Sequence, residues 1–397
     1  MRLRHLLVLA TVSLAAASCA SEPQPKPPAE EARARWNGTR ATVLHGLARD
    51  QFNAGNFDAS RKTTDEALRI NPESPPLHIL SAKLDIERGA FEPADRSLRT
   101  AQQLDPKNPE PDYLLGVIYQ RWQKTQQAYD FYAAASAKAP NELAYLLAQS
   151  EMLVQLGRSE EGLELLQNKV VFFENSSAIR DAVGQLLMQQ KRYGEAVEMF
   201  RQANVLADGD RAIEEHLALA LYHAGNWREA GTHLARLTAT EERASRADLW
   251  LALGECHMQL NRFADARAAF ESASNADPTM TAAWLGVAKS AMKLNDLRRA
   301  EMSIRKAMVV DPACAEAVLM SGYLRLKQNN LPEAMSSFKR ASSLNPSDPV
   351  SLCMVGVVHE RMGQKDAAAE YYARALRANP RDPLATQLLS SLDLSGN

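Results

Sequence analysis

The chain has 397 residues, of which 46% are hydrophobic and 6% aromatic, and a formal net charge of -2. The near balance of 46 basic and 48 acidic residues excludes the basic excess that a nucleic-acid interface requires, and with it a strongly basic membrane-binding surface. Abundant alanine with 18 glycines favours tightly packed helices over a β-sandwich.

Arg2, Arg4 and His5 precede an apolar run from Leu6 to Ala17, which is the form of a secretory signal over residues 1–18. The run is too short to cross a bilayer as a helix, which takes about 20 residues. No later stretch is apolar enough to cross either, so an exported chain is expected. Removing residues 1–18 takes away Arg2 and Arg4 and no acid, leaving 44 basic and 48 acidic residues, a net charge of -4. Ala16-Ala17-Ser18-Cys19 resembles the lipobox of bacterial lipoproteins. That resemblance implies a lipid on Cys19 and, with Ala20 rather than Asp after it, the periplasmic leaflet of the outer membrane. Ordinary cleavage after Ala17 is the alternative. Pro23, Pro25, Pro27 and Pro28 make residues 19–34 an extended, disordered spacer.

From residue 35 onward the chain is expected to be one repeat array. Prolines recur at Pro72, Pro106 and Pro140, then at Pro278, Pro312, Pro346 and Pro380, each step being 34 residues. Ten units fit this period: 41–74, 75–108, 109–142, 143–176, 177–210, 211–244, 247–280, 281–314, 315–348 and 349–382. The eighth position of each is Ala, Gly or Ser, from Ala48 to Gly356, and so is the twentieth, from Ser60 to Ala368. Helices that cross closely have no room there for larger side chains. The twenty-fourth position is large and apolar in nine units, as at Leu98, Phe200 and Tyr372, with Thr64 the exception. Gly55, Gly89, Gly157, Gly225 and Gly363 fall where the first helix of a unit must end, and each proline stops the second.

Period and residue size together resemble the tetratricopeptide repeat family. The resemblance implies an all-α, right-handed superhelical solenoid of about ten helix–turn–helix units spanning 35–397. Residues 383–397 are expected to cap its last face. Units 143–176 and 211–244 depart most, with Lys169 and Leu237 in place of the usual Ala at position twenty-seven and no terminal proline.

In that family the first helix of each unit lines a groove that binds peptides or partner helices. Carried over, the groove positions select Tyr113, Arg121, Gln185, Met188, Tyr222 and His223 in the earlier units. They select Glu255, Met258, Lys289, Met292, Tyr323 and Lys327 in the later ones, with Met320 and Met354 extending a methionine stripe. Acids concentrate in the middle of this set and lysines toward its C-terminal end.

No catalytic signature is present: no Gly-rich phosphate loop, no GxSxG and no HExxH. His216 and His223 share a predicted helix, but seven residues put their backbones about 10.5 Å apart, too far for one metal ion. Cys256, Cys314 and Cys353 fall in different units without a CxxC and suit buried packing. The sequence therefore leads to a non-catalytic scaffold with no metal, no cofactor and no small-molecule substrate, whose partners are other proteins. Repeat lipoproteins of this kind resemble assembly factors for pili and outer-membrane secretins. Adaptors for cell-wall enzymes, or the substrate-binding arm of a separate transferase or protease, are the alternatives.

Overall fold

The computed structural model describes residues 28–394, and every regular element among them is helical. The signal segment, Cys19 and most of the proline-rich spacer lie outside the described residues. The last part of that spacer is not extended. Helix α1 runs Pro28–Asn53, because Pro28 opens a stretch rich in Ala, Glu and Arg, all strong helix formers. The expectation of disorder through residue 34 is corrected on this point.

The chain divides into two compact units, residues 1–156 and 157–397. In the first, α1 pairs with α2 (Phe57–Ile70), α3 (Pro75–Glu87) with α4 (Phe91–Leu104), and α5 (Glu110–Arg121) with α6 (Thr125–Lys138). Helix α7 (Leu143–Gln155) then packs on α6. The second unit begins with α8 (Ser159–Gln167) and a 3-10 turn, Val170–Phe172. Five full pairs follow: α9 (Ser177–Gln189) with α10 (Tyr193–Leu206), α11 (Arg211–His223) with α12 (Trp227–Thr238), and α13 (Ala247–Gln259) with α14 (Phe263–Ala276). The others are α15 (Thr281–Lys293) with α16 (Leu297–Val310) and α17 (Ala315–Lys327) with α18 (Leu331–Leu344). A last pair, α19 (Pro349–Arg361) with α20 (Lys365–Ala378), is covered by α21 (Pro383–Leu394), which buries Ala385 and Leu392.

Each unit is thus a stack of helix–turn–helix pairs, the tetratricopeptide-like solenoid architecture. Its core follows the period. Every residue at positions eight, twenty and twenty-four of the repeat is buried. The turn follows it too: position fifteen has positive φ in all ten repeats, from Gly55 (+76°) to Gly363 (+75°). Five of these residues are not glycine, namely Gln123, Lys191, Asn261, Asn295 and Asn329. A left-handed residue at this point ends the first helix and turns the chain for the second.

The two irregular repeats are irregular for a local reason. Most second helices have 14 residues, but α8 has 9 and α12 has 12. At position twenty-seven, Ala67, Ala101, Ala135 and Ala203 are fully buried. Leu237 takes the same place at 1% exposure, whereas Lys169 cannot be buried there and α8 stops short of it.

Candidate functional site

Within the second unit, the first helices α11, α13, α15 and α17 stand side by side and enclose a cleft of about 450 Å³. Tyr222 comes from the last turn of α11, Glu255 and Met258 from α13, and Leu285, Gly286 and Lys289 from α15. Phe270 of α14 forms part of the floor, Trp227 opens α12 at one side, and Glu316 of α17 closes the other.

Phe270 reaches the floor because two glycines make room for it. A Cβ on Gly254 or on Gly286 would lie 2.5 Å from its ring. The polar groups above are already engaged. The Tyr222 hydroxyl donates to the Glu255 carboxylate, and burial followed by that bond pushes the phenol well above its ordinary range. Lys289 Nζ lies 2.6 Å from Glu316 Oε1, with both side chains about half exposed (48% and 50%). An exposed pair of this kind is worth about 0–1 kcal/mol, so it exchanges partners at little cost. The cleft therefore has a buried apolar floor of Phe270 and Leu285, a half-buried methionine in its wall, one fixed polar anchor and one labile ion pair on its rim.

The structure brings four of the sequence-selected residues together in this cleft: Tyr222, Glu255, Met258 and Lys289. It places the others elsewhere. His223 is exposed and stacks on Tyr193 at 5.1 Å between ring centroids. Gln185 of α9 is exposed and donates to Asp181, while Met188 on the same helix is half-buried. Met292 is half-buried against the α15–α17 core. Tyr323 packs edge-on against Phe338 at 5.4 Å, and Lys327 donates to the Met292 carbonyl at 3.4 Å. In the first unit, Tyr113 is half-buried between Tyr132 and Tyr145, at 5.6 and 4.8 Å, and Arg121 is exposed at the end of α5.

One expectation is corrected. Met320 and Met354 do not extend a solvent-facing stripe; they are 6% and 9% exposed. Both occupy position six of a repeat, which packs against position twenty-four of the preceding one. Met320 shares a core with Ile304, and Met354 with Phe338. The acids in the middle of the set are held by partners. Asp181 Oδ1 lies 2.7 Å from His216 Nδ1, and Glu215 binds Arg243 and Arg246 at 2.9 and 3.0 Å. Glu255 and Lys289 are held as described above.

Sequence reasoning missed Trp227, Phe270 and Glu316. Trp227 begins a second helix, outside the positions that line such grooves. The signal for Phe270 was present as a pair of glycines at Gly254 and Gly286, one on each neighbouring first helix.

Among the described residues no cluster of three or more His, Cys, Asp or Glu is placed to hold a metal ion. Among them, too, no helix is long and apolar enough to cross a membrane.

Residues 210–395 match the family described as the Cilia and flagella-associated protein 70 C-terminal domain, a region that contains the whole cleft. That match covers less than half of the chain. No curated protein matches the sequence. Two solved structures of MamA are similar at 16% identity. One gives a TM-score of 0.38 over 42% of this chain and 95% of that one; the other gives 0.39 over 43% and 92%.

Proposed function

We propose that this protein is a non-catalytic scaffold that binds a segment of another protein in the cleft formed by α11, α13 and α15. One observation carries the reading: half-buried Met258 and Tyr222 line an open cleft beneath a labile ion pair, over an apolar floor of buried Leu285 and Phe270. A bound segment would place an apolar side chain against the half-buried Met258, above Leu285 and Phe270. A charged group beside it would replace Lys289 or Glu316 in their exposed pair. Apolar floors with a few placed polar groups are what binding clefts offer, and methionine suits surfaces that adapt to their ligand.

The proposed place of work is the bacterial envelope, with the chain exported and held by a lipid on Cys19. The support for this is the basic start, the apolar run and the Ala16–Cys19 tetrapeptide of the sequence. Metabolic labelling with a palmitate analogue tests it. Label lost in Cys19→Ser supports the anchor, and absence of label in the wild type rejects it.

Crosslinking in cells followed by mass spectrometry tests the cleft. Wild type is compared with a variant carrying Tyr222→Ala, Met258→Ala and Lys289→Glu, checked for native helix content. A partner lost only with the variant supports the cleft, and an unchanged partner set rejects it. A pilus or secretin component would place the scaffold in envelope assembly; a hydrolase or synthase would place it with the cell wall.

A further inference from the structure

Helix α1 is out of proportion to its repeat. It has 26 residues, about 39 Å, whereas the other first helices have 12 or 13. Its outer face is apolar and uncovered: Trp36 is 67% exposed, Val43 66% and Leu47 49%. Val43 and Leu47 hold positions three and seven of the first repeat. In later repeats those positions are buried or half-buried, buried for instance in Leu77 (0%) and Ile213 (7%) at position three and Leu115 (0%) and Leu253 (4%) at position seven. The face is therefore built to receive a helix.

The stripe is complementary to itself. Ala32, Trp36, Val43 and Leu47 lie on one side of α1 and are spaced symmetrically about the peptide between Thr39 and Arg40. Two copies of α1 laid antiparallel would set each Trp36 against Val43 of the other copy, and each Ala32 against its Leu47. Large meets medium and small meets large, so the seam fills evenly. Charge agrees with this register. Arg33 comes within a turn of Asp50 of the second copy, and Arg40 at the centre is neutralised by Glu66, 2.6 Å away. From this we infer that the protein forms a two-fold dimer through antiparallel pairing of α1, the partner being a second copy of the same chain.

Sedimentation velocity of the full chain at micromolar concentration tests the association. Wild type sediments as a dimer, and Val43→Glu with Leu47→Glu sediments as a folded monomer. Both residues are exposed within the single chain, so their replacement leaves helix content unchanged. A monomeric wild type, or a variant that stays dimeric, overturns the inference. Register is read from disulfides in a Cys19→Ser background. Trp36→Cys mixed with Val43→Cys gives a peptide pair joined between positions 36 and 43, and neither variant alone crosslinks through α1. A 36–36 or 43–43 link in the single variants overturns the antiparallel register.

Discussion

Gly254 and Phe270 are matched in size across one helical hairpin: a Cβ on the glycine would stand 2.5 Å from the ring. The same match recurs throughout the chain. Gly116, Gly184, Gly322 and Gly356 face Tyr132, Phe200, Phe338 and Tyr372. Where position eight is Ala, as at Ala82, Ala218 and Ala288, position twenty-four is Leu98, Leu234 or Ile304. Crossing distance in these hairpins is fixed, so volume added on one helix must be removed from the other.

Gly254→Ala should therefore destabilise the second unit by about 1–3 kcal/mol, despite the higher helix propensity of alanine. Phe270→Leu alone should also cost stability, through the cavity it leaves. The double variant recreates the Ala/Leu pairing of other repeats and should recover most of the loss. Urea unfolding of the four proteins gives the coupling directly. Additive losses would show that the two sites do not share one volume.

Position fifteen gives a second test. Gln123 and Lys191 hold φ of +58° and +59°, a conformation that costs an L side chain about 1–2 kcal/mol. Gln123→Gly and Lys191→Gly should each raise stability by up to about 1 kcal/mol, offset in part by the extra freedom of glycine in the unfolded chain. Asn261→Gly should gain less, because Asn tolerates this region. Gly225→Ala should lose about 1 kcal/mol. Thermal midpoints of the four variants give the ranking.

The His216–Asp181 contact makes stability depend on pH. The hydrogen bond to Asp181 holds the imidazole pKa above its ordinary 6.5, outweighing burial. A raised folded-state pKa means that the pair contributes fully below about pH 6.5 and that its contribution is lost as pH rises through the raised value. His257 works in the opposite sense. Burial, and then Arg262, lower its pKa, so acidification costs stability there. The difference in melting temperature between wild type and His216→Asn isolates the first effect. It should be larger at pH 6 than at pH 8.5, and Asp181→Asn should reduce it. A difference independent of pH would show that the contact carries no proton linkage.

The cysteines should separate by reactivity. Burial pushes the Cys256 and Cys353 thiols up to about 12, whereas Cys314 is only half-buried. An alkylating reagent at pH 8 should modify Cys314 first, and Cys256 and Cys353 only after unfolding. Early labelling of Cys256 would mean that α13 opens locally from its neighbours.

The repeat was legible in the sequence because its constraints are local and periodic. Small residues where helices cross, large ones where they meet the core and a left-handed residue at the turn all recur within one 34-residue unit. The pairing of Gly254 with Phe270 was equally present, sixteen residues apart, in the inverse sizes of positions eight and twenty-four. The length of α1 was obscured by Pro28, which resembles a spacer residue and serves as a helix start.

What tertiary structure alone decided is which side chains of the first helices remain available. Met320 and Met258 both hold first-helix positions expected to line a groove, yet the core encloses one and leaves the other half-buried in the cleft wall. That outcome depends on what the neighbouring repeat places beside them: Met320 shares a core with Ile304 of the preceding repeat, while Met258 lines the cleft together with Gly286 of the following one. Charges follow the same logic. Lys289 and Glu255 acquire their character from partners one helix away, and stacking brings those partners within hydrogen-bond reach. Sequence period sets the frame because each repeat must fold against itself. The working surface emerges only when neighbouring repeats divide their side chains between core and solvent.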